Sequence, residues 1–483
     1  MLEERKPFLK TYNVLLTTKS PVHIGSGDSY FPFLYIKQSD NKLMVFDEEE
    51  VLTKLSELGK SEEFNKIIKS NKGDNNKMYD DIRLLYENKI TGKQISCEPN
   101  VLRNNPDIAR TMYSNDGRPY IPGSSVKGSI RTAYLAYKKR QFENNNDNSS
   151  IIEGKRLNAM NDKQKFSVEL DPFKFLKVSD FISLDFDNNT EIRAEYNLMK
   201  TGKNISSLAN GAVLEVIPSG KKFLGIITLY DPLKSNTNER LLENDLKNSI
   251  IKFFSVLFSN VTNNEYLDKH RNIVLVKSPI FSGNDEIGIQ IGKHSGAEAV
   301  SFNKELRSVK IRLEGRNTKI DNEAYTIWVS KDNDNEYEFF SWCSLKFISS
   351  DEAQKLKDEM YNKQSEILAS KRQAQVADML KLKEKEETAR QAKLDIESQE
   401  NKFIELKNCI KDNKLLDIIN DIEQYNNNVE KRYNSDFRRL NNDEKELVAP
   451  FFDKIFKKKD YYNNPKYKFS KKTMLDDIKK YLK

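Results

Sequence analysis

The stretch Ile121-Pro-Gly-Ser-Ser-Val-Lys-Gly-Ser-Ile-Arg131 is the most informative part of this 483-residue chain. A Pro-Gly turn leads through two serines into a segment whose apolar residues recur at helical spacing. These apolar side chains share one helix face: Val126, Ile130, Ala133 and Tyr137. Lys127 and Arg131, four residues apart, lie together on the neighbouring face. The stretch therefore predicts an amphipathic helix that begins directly after a tight turn.

The start of this predicted helix has the composition of an anion-binding site. Ser124 or Ser125 can cap the helix, which leaves backbone N–H groups free at its positive end. Gly123 and Gly128 allow another backbone, or a phosphate, to come close. Two interpretations stay open from these residues alone. One is an ordinary capped helix with two solvated charges, and the other is a helix terminus that binds an anion beside two cations.

Two further glycine turns lie on either side of this helix in the sequence. Val22-His-Ile-Gly-Ser-Gly27 follows a strand-like segment at residues 12–18. Ile289-Gln-Ile-Gly-Lys-His-Ser-Gly296 lies far downstream and carries Lys293 and His294. Three glycine turns with hydroxyl or cationic neighbours favour a binding role more strongly than one such turn does.

Together these turns resemble the RAMP superfamily of CRISPR-associated proteins. In that family a turn like His23-Ile-Gly-Ser-Gly27 ends the first strand, and a motif like that of residues 120–131 opens a helix. Residues 171–180 and 290–296 look most like the subunit that caps the 3′ end of the guide RNA in the type III-A (Csm) effector complex. The resemblance covers roughly residues 10–350 and does not cover the last quarter of the chain.

The resemblance implies an α+β fold for residues 1–350: a ferredoxin-like (RRM-like) RAMP core with insertions. It also implies a thumb near residues 90–120, a protruding β-hairpin that wedges into a guide–target duplex; a surface loop is the alternative. Residues 351–402 lack Pro and are dense in Lys, Glu, Gln and Ala, which predicts a long charged helix. Apolar spacing returns in residues 403–483, which predicts a small all-α C-terminal region.

The resemblance assigns the glycine turns to RNA. In the RAMP fold, backbone N–H groups, serines and lysines grip phosphates and position a single strand without reading its sequence. The residues expected in this groove are Gly25, Ser26, Gly27, Gly123, Ser124, Ser125, Lys127, Arg131, Lys293 and His294. The implied partners are single-stranded guide RNA, target RNA, RAMP backbone subunits and small helical subunits of the complex. A host nuclease that docks on the charged helix is a further hypothesis.

Composition sets outer bounds on the function. The net charge is +7, from 80 basic and 73 acidic residues, which permits a polyanionic partner without requiring one. The three cysteines lie far apart without a C-x-x-C pair, which argues against a zinc site or a disulfide framework. Because the chain contains no run of about 18 apolar residues, no membrane segment is expected. We expect a cytoplasmic protein with no cofactor and no metal.

The resemblance implies a non-catalytic role, in which the chain caps the guide and supports guide maturation and antiviral defence. A RAMP endoribonuclease is the first alternative, because His23, Asp28 or His294 could act on a 2′-hydroxyl. The second alternative is an interaction protein that works through its helical arm. A backbone subunit, or the subunit at the opposite end of the complex, is a third alternative within the family.

Overall fold

The structure is a computed structural model that describes residues 8–482 with internal gaps. The gaps are 71–72, 74, 87–88, 100, 103–104, 139–146, 187–189, 200–204, 207–210, 233–236, 263–275, 282, 284, 313–317, 333–335, 426–428, 463 and 465–470. The chain divides into two compact units, Met1–Glu366 and Ile367–Lys483. Among the described helices, none combines the length and the apolar character that a membrane span requires.

Strands and helices alternate irregularly in the first unit. Its strands are β1 (Phe8–Thr18), β2 (Gly25–Tyr30), β3 (Tyr35–Ser39), β4 (Lys42–Val45), β5 (Lys93–Cys97), β6 (Ile108–Thr111), β7 (Tyr120–Ile121), β8 (Leu176–Val178), β9 (Phe181–Ser183), β10 (Glu191–Ala194), β11 (Tyr196–Met199), β12 (Ile205–Ser206), β13 (Val213–Val216), β14 (Lys222–Asp231), β15 (Val276–Lys277), β16 (Ile287–Gln290), β17 (Val309–Arg312), β18 (Thr318–Asp321), β19 (Thr326–Lys331), β20 (Tyr337–Phe339) and β21 (Trp342–Ile348). Its helices are α1 (Glu48–Glu57), α2 (Ser61–Ser70), α3 (Asn75–Tyr86), α4 (Gly123–Tyr137), α5 (Ser149–Arg156), α6 (Glu243–Thr262) and α7 (Ala297–Val300).

A ferredoxin-like core organises this unit. β1 lies between β14 and β21 in an antiparallel sheet whose order is β16-β21-β1-β14-β9-β7, and β8 also pairs with β14. Along the chain, β1, α4, β9, β14, α6 and β21 form a βαββαβ unit. This topology confirms the predicted α+β, ferredoxin-like core, and the residues between β1 and α4 are its largest insertion.

Residue alternation decides which face of this sheet the helices cover. In β14, Ile227 and Leu229 are buried, whereas Ile226 and Tyr230 are exposed. Because successive side chains of a strand point to opposite faces, the buried set forms one apolar face. That face contributes to one hydrophobic cluster together with residues of α4 and α6.

The apolar stripe predicted for α4 is mostly buried in that cluster. Val126, Ile130 and Ala133 are at most 3% exposed. Tyr137, predicted on the same face, is 38% exposed, which corrects the prediction. It is the last residue of the helix, and its ring lies 5.0 Å from the Lys252 ammonium rather than in the core.

The region predicted to hold a thumb lies inside a second sheet, whose order is β2-β6-β13-β10-β5-β4-β3. β5 pairs with β4 and β10, and β6 pairs with β2 and β13. Residues 90–120 therefore contribute two interior strands to this sheet. The residues that follow β6 turn back tightly, since the Tyr120 N–H donates to the Met112 carbonyl oxygen at 3.2 Å and Tyr113 pairs with Pro119. Insertion of this region into a guide–target duplex as a thumb stays a prediction. Smaller sheets have the orders β12-β11-β19-β20-β15 and β17-β18.

A single helix, α8 (Ser350–Cys409), follows the core and extends past the predicted end at residue 402. Its sequence contains no Pro or Gly and many long side chains, which favour helix. The second unit adds α9 (Asn413–Gln424), α10 (Val429–Ser435), α11 (Asn442–Lys458) and α12 (Lys472–Lys479) around its own apolar cluster. The prediction of a long helix followed by a small all-α region is confirmed.

Candidate nucleic-acid interface

Three glycine turns that are far apart in the sequence meet at α4. The Lys293 N–H donates to the His23 carbonyl oxygen at 2.8 Å, which joins the third turn to the first. Ser129 of α4 donates its hydroxyl hydrogen to the Gln290 carbonyl oxygen at 2.8 Å. Gly292 permits this arrangement, because a Cβ there would lie 2.5 Å from the His23 oxygen. The three predicted motifs are therefore parts of one local structure.

The first glycine turn is exposed, but its surroundings are acidic. Gly25, Ser26 and Gly27 begin β2 and are all exposed. Ser26 Oγ accepts the Asp28 N–H at 3.2 Å, so this hydroxyl stabilises the turn. A neighbouring cavity of about 590 Å³ is lined by charged side chains: Asp28, Asp47, Glu48, Glu49 and Arg110. Because the carboxylates repel phosphate, this turn is the least favourable of the three for an RNA backbone.

The start of α4 is capped differently from the prediction. Pro122 occupies the N-cap position and makes no side-chain capping bond. The Asp180 carboxylate accepts the Gly123 N–H at 2.8 Å instead. The expected cap by Ser124 or Ser125 is wrong because the helix already begins at Gly123, which places both serines inside its first turn. Their hydroxyls make no hydrogen bond within the described part of the chain.

The two glycines of α4 have different surroundings. A Cβ on Gly123 would lie 2.3 Å from the Val178 carbonyl oxygen and 2.5 Å from that of Ser179. A Cβ on Gly128 would meet nothing within 4 Å. The close approach of a second backbone therefore requires glycine at position 123. Position 128 is an open patch on the helix surface.

Arg131 is neutralised by two carboxylates. It makes ion pairs with Glu153 at 2.7 Å and with Asp171 at 2.9 Å. Its guanidinium also lies over the Phe173 ring, 4.8 Å from the centroid. These contacts tie α4 to α5 and to the segment before β8. The two carboxylates compensate the charge of Arg131, so its contact with phosphate stays a prediction that requires these ion pairs to be exchanged.

Lys127 has different surroundings, because it makes no ion pair within the described part of the chain. Its side chain is half-buried, and burial, followed by repulsion from Lys177, lowers the pKa of Lys127. Lys177 is exposed on β8 and likewise has no ion pair among the described residues. We call these two residues the Lys127–Lys177 patch. It brings positive charge to the side of α4 that carries Ser124, which is three residues before Lys127.

The third glycine turn is held by a buried carboxylate. Glu195 accepts from Lys293 Nζ at 3.0 Å and from His294 Nε2 at 2.5 Å. Burial alone would raise the pKa of Glu195, but the bonds from His294, from the Ala212 N–H and from Lys293 lower it to about 2. The His294 ring stacks on Trp328, with centroids 4.7 Å apart. Lys293 and His294 are therefore structural partners of Glu195 as well as candidate RNA contacts.

His23 belongs to a buried polar network. Its side chain is 3% exposed, and Nδ1 lies 2.8 Å from the Glu215 carbonyl oxygen. Burial is the main cause that lowers the pKa of His23. The Glu215 carboxylate in turn accepts the Thr111 N–H at 3.1 Å and the Thr190 hydroxyl at 3.0 Å. A general base needs contact with its substrate, and the buried imidazole has no such access.

Sequence reasoning missed the carboxylates that hold the turns, and it missed Lys177. Asp180 and Lys177 both lie in the motif at residues 171–180. The motif was recognised in the sequence, but neither of these two residues was predicted to belong to the site. Glu195 and Glu215 lie in no recognisable motif, and only the tertiary fold brings them to the glycine turns. The described residues include no group of three His, Cys, Asp or Glu side chains arranged to hold a metal ion.

The fold and the joined glycine turns are those of a RAMP protein, and the RAMP superfamily profile matches residues 15–353. The chain belongs to the RAMP superfamily. Two similar proteins are both named CRISPR system Cms protein Csm5. The one from Methanocaldococcus jannaschii is 26% identical over 267 residues, which cover 51% of this chain and 59% of the relative. The one from Streptococcus thermophilus is 29% identical over 143 residues, which cover 26% of this chain and 38% of the relative.

These alignments span less than two thirds of either relative's own length. A solved structure is also similar: the cryo-EM structure of a Csm–crRNA–target RNA ternary complex of a type III-A CRISPR-Cas system. The match to one of its chains has a TM-score of 0.51 and 16% sequence identity, and it covers 70% of this chain and 100% of that chain. At this identity the likeness shows the shared fold.

Proposed function

We propose that this chain is a guide-RNA-binding subunit of a type III-A (Csm) CRISPR effector complex. In this role it caps the stack of backbone subunits at the 3′ end of the guide and supports guide maturation and antiviral defence without cutting RNA itself. Its partners are the single-stranded guide, the target RNA, RAMP backbone subunits and small helical subunits in the cytoplasm. The names of the two relatives and the ternary complex with the similar fold support this proposal.

The meeting of the three glycine turns at α4 is the observation that carries the proposal. The hydroxyls of Ser124 and Ser125 and the Lys127–Lys177 patch offer hydrogen-bond donors and positive charge to a backbone phosphate. Contacts of this type bind RNA without reading its sequence, which suits a subunit that must accept any guide. Because Arg131 is already neutralised, the patch supplies the main attraction at α4.

The environments of the candidate catalytic residues support a non-catalytic role. His23 is buried, and its Nδ1 is engaged with a backbone oxygen. His294 is held by Glu195 and stacked on Trp328. Asp28 lies in an exposed turn, where its N–H is bound by Ser26. No two of these side chains share a hydrogen bond among the described residues, so a cooperating acid and base is not seen.

Purification of the tagged chain from its native host, followed by sequencing of the bound nucleic acid, tests the proposal. We expect short RNAs that share a repeat-derived 5′ tag, together with RAMP subunits. The variant Lys127→Glu with Lys177→Glu should yield less RNA, or RNA with ragged 3′ ends, because it reverses the charge of the patch. The matched control is Lys42→Glu with Lys66→Glu, which changes two exposed lysines without ion pairs in the described chain.

The possible outcomes separate the parts of the proposal. Normal guides from the Lys127/Lys177 variant would contradict the assignment of the patch to RNA. A wild-type chain that purifies without RNA and without RAMP subunits would contradict the proposed function itself. RNA cleavage that is lost in His294→Ala, but kept in the control, would favour the ribonuclease.

A further inference from the structure

A cavity of about 390 Å³ opens beside the third glycine turn. Residues of α6, of the third turn, of β19 and of the start of β21 line it. The chain contains two tryptophans, Trp328 and Trp342, and both line this cavity. Its volume lies within the range of about 300–1,000 Å³ that is common for small-ligand sites.

Aromatic rings held in fixed positions line the cavity. His294 stacks on Trp328 at an interplanar angle of 27° and lies 5.1 Å from the Phe340 ring. The imidazole is anchored, because its Nε2 is bound to buried Glu195 at 2.5 Å. Trp342 is 1% exposed and packed in the core. Fixed aromatic surfaces of this kind suit a planar ligand, since little side-chain entropy is lost on binding.

Polar groups of the cavity have unused hydrogen-bonding capacity. The side chains of Asn260 and Thr326 line it and make no hydrogen bond within the described part of the chain. An amide and a hydroxyl can both donate and accept. The carboxylates of the lining are already engaged, because Glu298 accepts a backbone N–H at 3.1 Å and Glu323 is paired with Lys304. The cavity therefore favours a neutral planar ligand with donors and acceptors on its edge over a cation.

We propose that this cavity receives one unpaired nucleobase of single-stranded RNA that follows the glycine turns. The inference rests on the proposed function and adds a base-binding pocket to it. His294 belongs both to the third turn and to the cavity lining, so an RNA backbone at that turn has bases within reach of the cavity. Stacking on aromatic rings accepts any base, because every base has a π face.

Tryptophan fluorescence of the full chain tests this proposal, because both tryptophans line the cavity. A short oligouridylate is added unlabelled to follow tryptophan emission, and with a terminal fluorophore to follow binding by anisotropy. An oligomer of equal length and charge that lacks all bases is titrated in parallel. We expect quenching by the base-bearing RNA only. We also expect the abasic oligomer to bind roughly 5- to 150-fold more weakly, the range that ~1–3 kcal/mol of base stacking gives.

A blocking variant adds a second measurement. Asn260→Phe places a ring at the cavity from an exposed position of α6. Ser259→Phe adds the same ring at the adjacent exposed position, which does not line the cavity, and is the matched control. We expect Asn260→Phe to lose the quenching and to bind RNA as weakly as the wild-type chain binds abasic RNA. The control should behave as wild type.

Each contrary result has a distinct meaning. Equal binding of base-bearing and abasic RNA, with unchanged tryptophan emission, overturns the base pocket but leaves RNA binding by the chain intact. Quenching by an arginine amide, but not by nucleotides, assigns the cavity to a cationic protein side chain instead. A full chain that binds no RNA at all overturns both the pocket and the proposed function. The wild-type titrations decide the question even if Asn260→Phe does not fold.

Discussion

Replacing Arg131 and Lys127 separately by methionine should distinguish fold stability from RNA binding. Both cations lie on α4, four residues apart in one motif, but their surroundings differ. Methionine keeps an unbranched apolar chain while removing the charge. We predict that Arg131→Met mainly lowers the free energy of unfolding. We predict that Lys127→Met mainly lowers the affinity for RNA.

The size of the first effect follows from the contacts of Arg131. Its ion pairs with Glu153 and Asp171 join side chains that are between 12% and 24% exposed. Each pair is therefore expected to contribute about 1 kcal/mol, between an exposed and a fully buried pair. The contact with the Phe173 ring, 4.8 Å from the centroid, adds about 0.5–1 kcal/mol. The expected loss in Arg131→Met is ~2–3 kcal/mol, whereas Lys127→Met should cost less than ~0.5 kcal/mol.

Urea unfolding of the full chain measures the free energies, and anisotropy with single-stranded RNA over a series of salt concentrations measures binding. Loss of one phosphate contact in Lys127→Met should reduce the slope of log K against log salt by about 0.7. Lys42→Met is the control for both assays, since it removes an exposed charge far along the chain from α4. The reasoning is refuted if Arg131→Met unfolds like the wild type while reducing the salt slope. In that case the guanidinium contacts phosphate and its ion pairs contribute little to stability.

Three further predictions address the buried carboxylate, the glycines of α4 and the C-terminal region. The pKa of Glu195 is lowered from 4.5 to about 2 in the fold, so its carboxylate stabilises the chain above its ordinary pKa, and this contribution disappears as pH falls through about 2. Glu195→Gln should therefore lower the free energy of unfolding by up to about 3 kcal/mol at neutral pH, and urea titrations should show the difference from wild type vanishing in acid. Gly123→Ala should lower the free energy of unfolding by ~2–4 kcal/mol, because its Cβ would lie 2.3 Å from the Val178 carbonyl oxygen. Gly128→Ala should raise the free energy of unfolding by about 0.5–1 kcal/mol, because its Cβ meets nothing within 4 Å. Equal urea midpoints for the two variants would contradict this prediction. A fragment of residues 403–483 should show a helical circular dichroism spectrum and a cooperative thermal transition, since its apolar cluster lies within it, and a gradual transition would count against an independent core.

The features that depend on neighbours along the chain could be predicted from the sequence. The spacing of Val126, Ile130 and Ala133 predicted the buried face of α4 correctly, because helical periodicity is a local property. The composition of residues 351–402 predicted a long helix for the same reason. The prediction of a serine cap was wrong because the helix begins earlier, at Gly123. The terminal residues are the least certain part of any helix prediction.

The features that depend on distant residues could not be predicted. The partners of Arg131 lie 22 and 40 residues away, and His294 and Glu195 are 99 residues apart. Asp171 opens the motif at residues 171–180, but nothing local marks Glu153 or Glu195 among the 73 acidic residues of the chain. The places of β5 and β6 in the second sheet could not be predicted either, since they depend on parallel pairing with β10 and β13. A strand's own sequence does not reveal whether it is paired on one side or on both.

The central position of β1 has a consequence for how this protein is made. Val14 pairs with Gly225 on one side and with Phe347 on the other, so its second partner is synthesised more than 300 residues later. At about 5–20 residues per second, a ribosome needs roughly 15–70 s to supply it. Throughout that interval one edge of an apolar strand can pair with other chains. The second half of β1 is therefore open to pairing with other chains during synthesis along the edge that β21 covers in the finished sheet.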